Sequence, residues 1–102
     1  MVLKTEIVTG KLKQQQDYLK NEFGLKSLVL YGSYAKNKAS DLSDVDLFYE
    51  MKEGNHMTLR RLARLENYVS GLLLIPKIEL VNKKQANPVV LKNALNYAIT
   101  IF

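Results

Sequence analysis

Val8, Leu12, Leu19 and Phe23 recur at helical spacing with lysine and glutamine between them, which predicts a helix over 8–23 and a stop at Gly24. Ser27-Leu28-Val29-Leu30-Tyr31 is a short apolar run halted by Gly32, and reads as a strand. The polar stretch from Ser33 to Ser43 predicts one turn of helix and a loop. Asp44-Val45-Asp46-Leu47-Phe48-Tyr49 reads as a second strand and Glu50 to Asn55 as a turn. From Thr58 the pattern is helical again: Leu59, Leu62, Leu65, Val69 and Leu72 make one face, Arg60, Arg61 and Arg64 lie off it, and Pro76 closes the region. Lys77-Ile78-Glu79-Leu80-Val81 alternates and reads as a third strand. Asn87-Pro88 opens a last helix, Asn96 suits a left-handed C-cap, and 97–102 is a final short strand. The order α-β-α-β-α-β-α-β predicts an α/β (α+β) domain, a small mixed sheet with flanking helices.

Composition narrows the chemistry. A chain of 102 residues with 47% apolar and 25% charged positions fits one domain spanning 1–102 with a real core. A net charge of +5 favours anionic partners without choosing among them. The absence of cysteine excludes disulfides, a thiolate nucleophile and zinc–cysteine sites, and the single histidine, His56, cannot build a multi-histidine metal site. The opening residues lack the apolar stretch of a secretion signal, and Leu72-Leu73-Leu74-Ile75 is too short to span a bilayer, so a soluble, cytoplasmic protein without membrane contact is expected. Lysines are scattered without interleaved aromatics, so direct nucleic-acid binding is not expected. No Gly-Lys-Ser/Thr phosphate loop occurs.

The ten carboxylates are unevenly placed: Asp41, Asp44, Asp46, Glu50 and Glu53 fall within thirteen residues. Asp44 and Asp46, two apart on a strand, project the same way, with Val45 and Leu47 opposite. Like charges held close resist joint ionisation, and a hard cation such as Mg²⁺ relieves that penalty. Glu79 has the corresponding parity on the third strand. If that strand lies beside the second in the right register, three carboxylates share one face and can hold one or two metal ions for phosphoryl chemistry; a one-residue slip turns Glu79 away. An isolated Asp-x-Asp is also what the solvent face of a strand looks like.

Upstream, the first strand runs into Gly32-Ser33 and a helix start. Glycine allows close backbone approach, Ser33 offers a hydroxyl near the N-cap, and free amides at a helix start suit phosphate oxygens. Taken alone, Gly-Ser is an ordinary tight turn.

Together, the stretch from Gly32-Ser33-Tyr34-Ala35 through Ser43-Asp44-Val45-Asp46-Leu47 resembles the signature of the minimal nucleotidyltransferases of the DNA polymerase beta superfamily, small single domains often paired with a HEPN-domain protein as antitoxin and toxin. The resemblance is strongest over 27–50 and implies a polymerase-beta-like palm. It also implies a Mg²⁺-dependent transfer of a nucleoside monophosphate from an NTP, most naturally ATP. Asp44, Asp46 and Glu79 would then be catalytic and metal-binding, with Gly32, Ser33 and Lys36 on the nucleotide. Two positions depart from the family: Asn37 stands where glycine is usual, and Glu79 where aspartate is usual. Asparagine is the next most tolerant residue for positive φ, and glutamate keeps the ligand type with one more methylene.

The remaining candidates have plainer readings. Arg60, Arg61 and Arg64 can bind an anion or form a solvated helix face; Lys36 and Lys38 can reach a triphosphate or simply sit exposed. Tyr31 and Tyr34 can stack on a base or pack in the core, and His56 reads as a polar turn residue. Once the sheet and helices are built, little chain is left to grip an acceptor, which favours a protein partner. A HEPN-domain protein acting as acceptor follows from the resemblance. The alternatives are a decayed binding module that neutralises its partner by contact, and transfer to RNA or a small molecule.

Overall fold

The computed structural model describes residues 3–102. The elements are α1 (Thr5–Gln14), α2 (Gln16–Phe23), β1 (Leu25–Tyr31), α3 (Gly32–Ala35), β2 (Val45–Met51), α4 (Leu59–Leu73), β3 (Ile78–Asn82), a 3₁₀ turn (Lys83–Gln85), α5 (Pro88–Leu95) and β4 (Ile99–Thr100). The expected first helix is therefore two. It breaks at Gln15, whose φ of −100° and ψ of 14° depart from helical values, and Tyr68 donates to its side-chain oxygen at 2.7 Å. The polar run Lys13-Gln14-Gln15-Gln16-Asp17 holds no apolar residue whose spacing would reveal a change of axis. Val8, Leu12, Leu19 and Phe23 are nonetheless all buried, as their spacing predicts.

The sheet order is β3-β2-β1-β4. β1 pairs antiparallel with β2 and β4, and β2 pairs parallel with β3. Strand parity divides the core. Leu28, Leu30, Val45, Leu47 and Ile78 face one side, where Val8, Leu12, Leu19, Leu65 and Val69 from α1, α2 and α4 cover them. Val29 and Phe48 face the other side, where Ala94 and Leu91 of α5 cover them in a smaller cluster.

Several boundaries differ from expectation. β2 begins at Val45 and runs to Met51, so Asp44 sits just before the strand and the turn starts later. Leu59 is 87% exposed rather than part of the buried face, because it is the first residue of α4; Thr58 caps that helix by accepting from the Arg61 amide at 3.1 Å. α4 ends before Pro76, through Leu74 at a left-handed φ of 57°. Asn87 does cap α5, accepting from Val89 and Val90. Asn96 is not left-handed: its φ of −68° and ψ of −23° continue the turn, and the Tyr97 and Ala98 amides still bond to the Ala94 carbonyl. That extra turn uses up residues expected in the last strand. Only Ile99–Thr100 form β4, while Ile101 and Phe102 tie back to Leu28 by backbone bonds.

Candidate active site

The register brings Tyr31 of β1, Asp46 of β2 and Glu79 of β3 into one row across three strands. Their side chains lie on the α5 side of the sheet, opposite Leu47 and Leu80, which pack into the larger core. Asp44, at the mouth of β2, joins them. Carboxylate oxygens of Asp44, Asp46 and Glu79 all lie within 4.8 Å of one another. The alternation of Lys77-Ile78-Glu79-Leu80 thus has the parity read from the sequence, and the parallel β2–β3 pairing places it in register.

Crowding shows in the electrostatics. Burial, hydrogen bonding with Glu79 and the charges of Glu79 and Asp44 push the Asp46 carboxyl from 3.8 up to about 7, against a smaller lowering by Lys77. Burial, and then Asp46 and Glu79, push the Tyr31 phenol from 10.0 up to about 12. Lys77 Nζ lies 3.5 Å from Asp44 Oδ2. Lys77 precedes β3 and stands two residues before Glu79, and that spacing is the signal in the sequence that points to it. The Tyr31 ring stacks on Phe48 at 3.8 Å between centroids, so it packs against the smaller cluster.

The Gly-Ser turn closes over this row. Gly32 has a φ of 75°, and a Cβ built on it would lie 2.0 Å from Asp46 Oδ2. Only glycine satisfies both the dihedral and the contact. Ser33 follows at the start of α3, half-buried, and its hydroxyl has no partner among the described residues. The loop beyond is pinned from outside by the Thr5 hydroxyl, which donates to the Tyr34 carbonyl at 2.5 Å, and closed on itself by the Lys38 amide, which donates to the Ser33 carbonyl at 2.9 Å. Asn37 takes a left-handed φ of 59°, a conformation its side-chain type tolerates. Thr5 escaped the sequence reading because nothing local connects it to a loop 29 residues away.

Other candidates fall elsewhere. Tyr34 is 4% exposed and belongs to the core. Lys36 Nζ lies 4.5 Å from the centre of the Tyr97 ring, held at the edge of the smaller cluster. Arg64 pairs with Glu22 at 2.8 Å and Arg61 donates to the His56 carbonyl at 3.0 Å, both on α4, whose buried stripe packs on the opposite sheet face from the carboxylates. His56 is exposed.

Three oxygen-donor side chains converging within 4.8 Å, one of them strongly resisting ionisation, fit a hard divalent cation. A carboxylate row beside a glycine turn at the end of a mixed sheet defines the class: a nucleotidyltransferase. A family model described as polymerase beta, nucleotidyltransferase matches residues 13–102, and the chain belongs to that family. It is 37% identical over 83 residues to a Methanocaldococcus jannaschii protein provisionally named protein adenylyltransferase MJ0126, covering 80% of this chain and 82% of the relative. It is 26% identical over 100 residues to protein adenylyltransferase MntA of Thermococcus cleftensis, covering 98% of each. A solved structure provisionally described as a minimal nucleotidyltransferase superposes with a TM-score of 0.74 at 27% identity over 95% of both chains. The fold also matches a chain from a complex of a tri-AMPylated Shewanella oneidensis HEPN toxin with its MNT antitoxin, at a TM-score of 0.62 and 14% identity, covering 92% of this chain and 71% of that one. Among the described residues no helix is long and apolar enough to cross a membrane.

Proposed function

We propose that this chain is a Mg²⁺-dependent adenylyltransferase that moves AMP from ATP onto a hydroxyl of a partner protein, and that the partner is a HEPN-domain toxin. The observation that carries the chemistry is the Asp44–Asp46–Glu79 cluster beneath Gly32. The adenylyl donor and the protein acceptor are supported by the names of the relatives and by the tri-AMPylated toxin in the neighbouring complex.

Asp44, Asp46 and Glu79 would hold the cation, which when bound supplies charge neutralisation at the reacting phosphates. Gly32 keeps backbone close to Asp46 so that no side chain intrudes on the triphosphate. The Ser33 hydroxyl, without a partner among the described residues, would donate to a phosphate oxygen. Glu79, the most exposed of the three carboxylates, is placed to accept the proton of an incoming hydroxyl. As that oxygen bonds to the α-phosphorus, the bond to the β-phosphate oxygen breaks and pyrophosphate leaves. Lys36, held over Tyr97, would add a positive charge toward the nucleotide's phosphates.

The test is transfer of α-labelled ATP to proteins of the native cell extract, with and without Mg²⁺, using Asp44→Asn as control. One labelled protein band that requires both Mg²⁺ and Asp44 is the expected outcome. Label in RNA would overturn the acceptor, and absence of label from all four NTPs would overturn the transferase reading in favour of neutralisation by contact.

A further inference from the structure

At the opposite end of the sheet from the carboxylates lies a groove of about 720 Å³. It opens where β1 begins, β2 ends and the chain leaves β3, five residues along β2 from Asp46, or about 17 Å at strand rise. Its volume falls within the range of small-molecule pockets. Its walls are tied down: the Lys52 amide bonds to the Gly24 carbonyl at 2.9 Å, the Asn55 amide closes a turn onto the Lys52 carbonyl at 3.0 Å, and Asn82 Oδ1 accepts from the Lys84 amide at 3.0 Å.

Lys26, Lys52 and Lys84 all line this groove. None of the three ammonium groups has an ion pair, hydrogen bond or ring contact among the described residues. Their neighbours differ: Lys83 pairs with Glu50 at 3.6 Å and Lys77 with Asp44 at 3.5 Å. The one acidic side chain in the lining is Glu53. Three ammoniums against one carboxylate leave a surplus of two positive charges, which matches a phosphate monoester dianion. Asn55 and His56 add side-chain nitrogen and oxygen groups that can read a base edge, and Asn82, its oxygen already used by Lys84, keeps its amide nitrogen as a donor. The lining offers no exposed aromatic platform, since Tyr49 is 6% exposed, which disfavours a single-stranded nucleic acid.

From these unpaired lysines we infer a second anion site, separate from the carboxylate cluster, that takes a phosphorylated ligand of mononucleotide size. A ligand there bridges the Lys52–Asn55 turn and the Lys83–Gln85 turn, and so acts on the ends of the strands that carry Asp46 and Glu79.

Backbone amide shifts of the full chain, titrated with AMP in EDTA, test this away from metal-dependent binding at the carboxylates. Saturable shifts over 52–57 and 82–85 are expected. Lys52→Ala and Lys84→Ala each weaken the apparent affinity by roughly tenfold, as loss of one charge-assisted hydrogen bond predicts, while Lys84→Arg keeps most of it. Shifts confined to 32–46, absence of saturable shifts at millimolar AMP, or affinities unmoved by both alanine variants would each overturn the site.

Discussion

Gly32 and Asp46 approach so closely that the glycine's missing Cβ would sit 2.0 Å from the Asp46 carboxylate. The turn and the strand that carries Asp46 are therefore one fitted unit. Gly32→Ala must push Asp46 aside as well as hold alanine at a φ of 75°. The dihedral alone costs about 1–2 kcal/mol of stability. In the role proposed for Asp46, displacing its carboxylate by an ångström should lower kcat/KM by about 10²-fold. Steady-state transfer assays beside a thermal melt check both.

The Asp46 pKa makes stability fall with rising pH. Between 3.8 and about 7 the folded chain retains a proton that the unfolded chain has released. The unfolded state therefore binds fewer protons, and the free energy of unfolding declines across that window, levelling off above it. Melts in EDTA along a pH series should show this decline, and Asp46→Asn should flatten it. The rise in melting temperature on adding Mg²⁺ should grow across the same window, because the cation displaces that proton.

Glu79 separates charge from length. Glu79→Gln leaves the packing of an exposed position unchanged and removes the proton acceptor, so transfer should drop by about 10²–10⁴-fold. Glu79→Asp restores charge with a shorter arm and should keep far more activity than the amide. Full activity in both would place Glu79 outside the chemistry.

Thr5 tests whether the loop needs its outside anchor. Thr5 is 9% exposed, and its hydroxyl bonds to the Tyr34 carbonyl in the turn after Gly32-Ser33. Thr5→Ala leaves that carbonyl with only the Asn37 amide at 3.3 Å, costing about 0.5–1.5 kcal/mol, and should raise KM for the nucleotide more than it lowers kcat. Nucleotide titrations of the variant separate the two.

The site was legible where strand parity decides it. Asp44-Val45-Asp46 and Ile78-Glu79-Leu80 alternate, and alternation fixes a face; the parallel pairing then supplied the register that no single strand encodes. Asn37 was legible for its backbone, because its type tolerates the left-handed turn it adopts. What local pattern cannot carry was missed: the break at Gln15 inside a polar run, the exposed Leu59, and the contact of Thr5 with a loop far along the chain. Asn96 misled because asparagine permits a left-handed cap without requiring one, and the packing of Tyr97 and Ala98 with the α5 cluster favoured another helical turn.

β3 lies at the outer margin of the sheet, five residues long, bonded to β2 on one side. The carboxylate trio thus draws Asp46 from an interior strand, Asp44 from the residue just before it and Glu79 from the rim. Rim strands exchange their amide hydrogens at lower opening energies than interior ones. Competence for transfer should therefore vanish in a partial opening that leaves β1 and β2 protected. Anything that clasps the open side of β3, a partner's strand included, would switch the enzyme on by holding its last ligand in place.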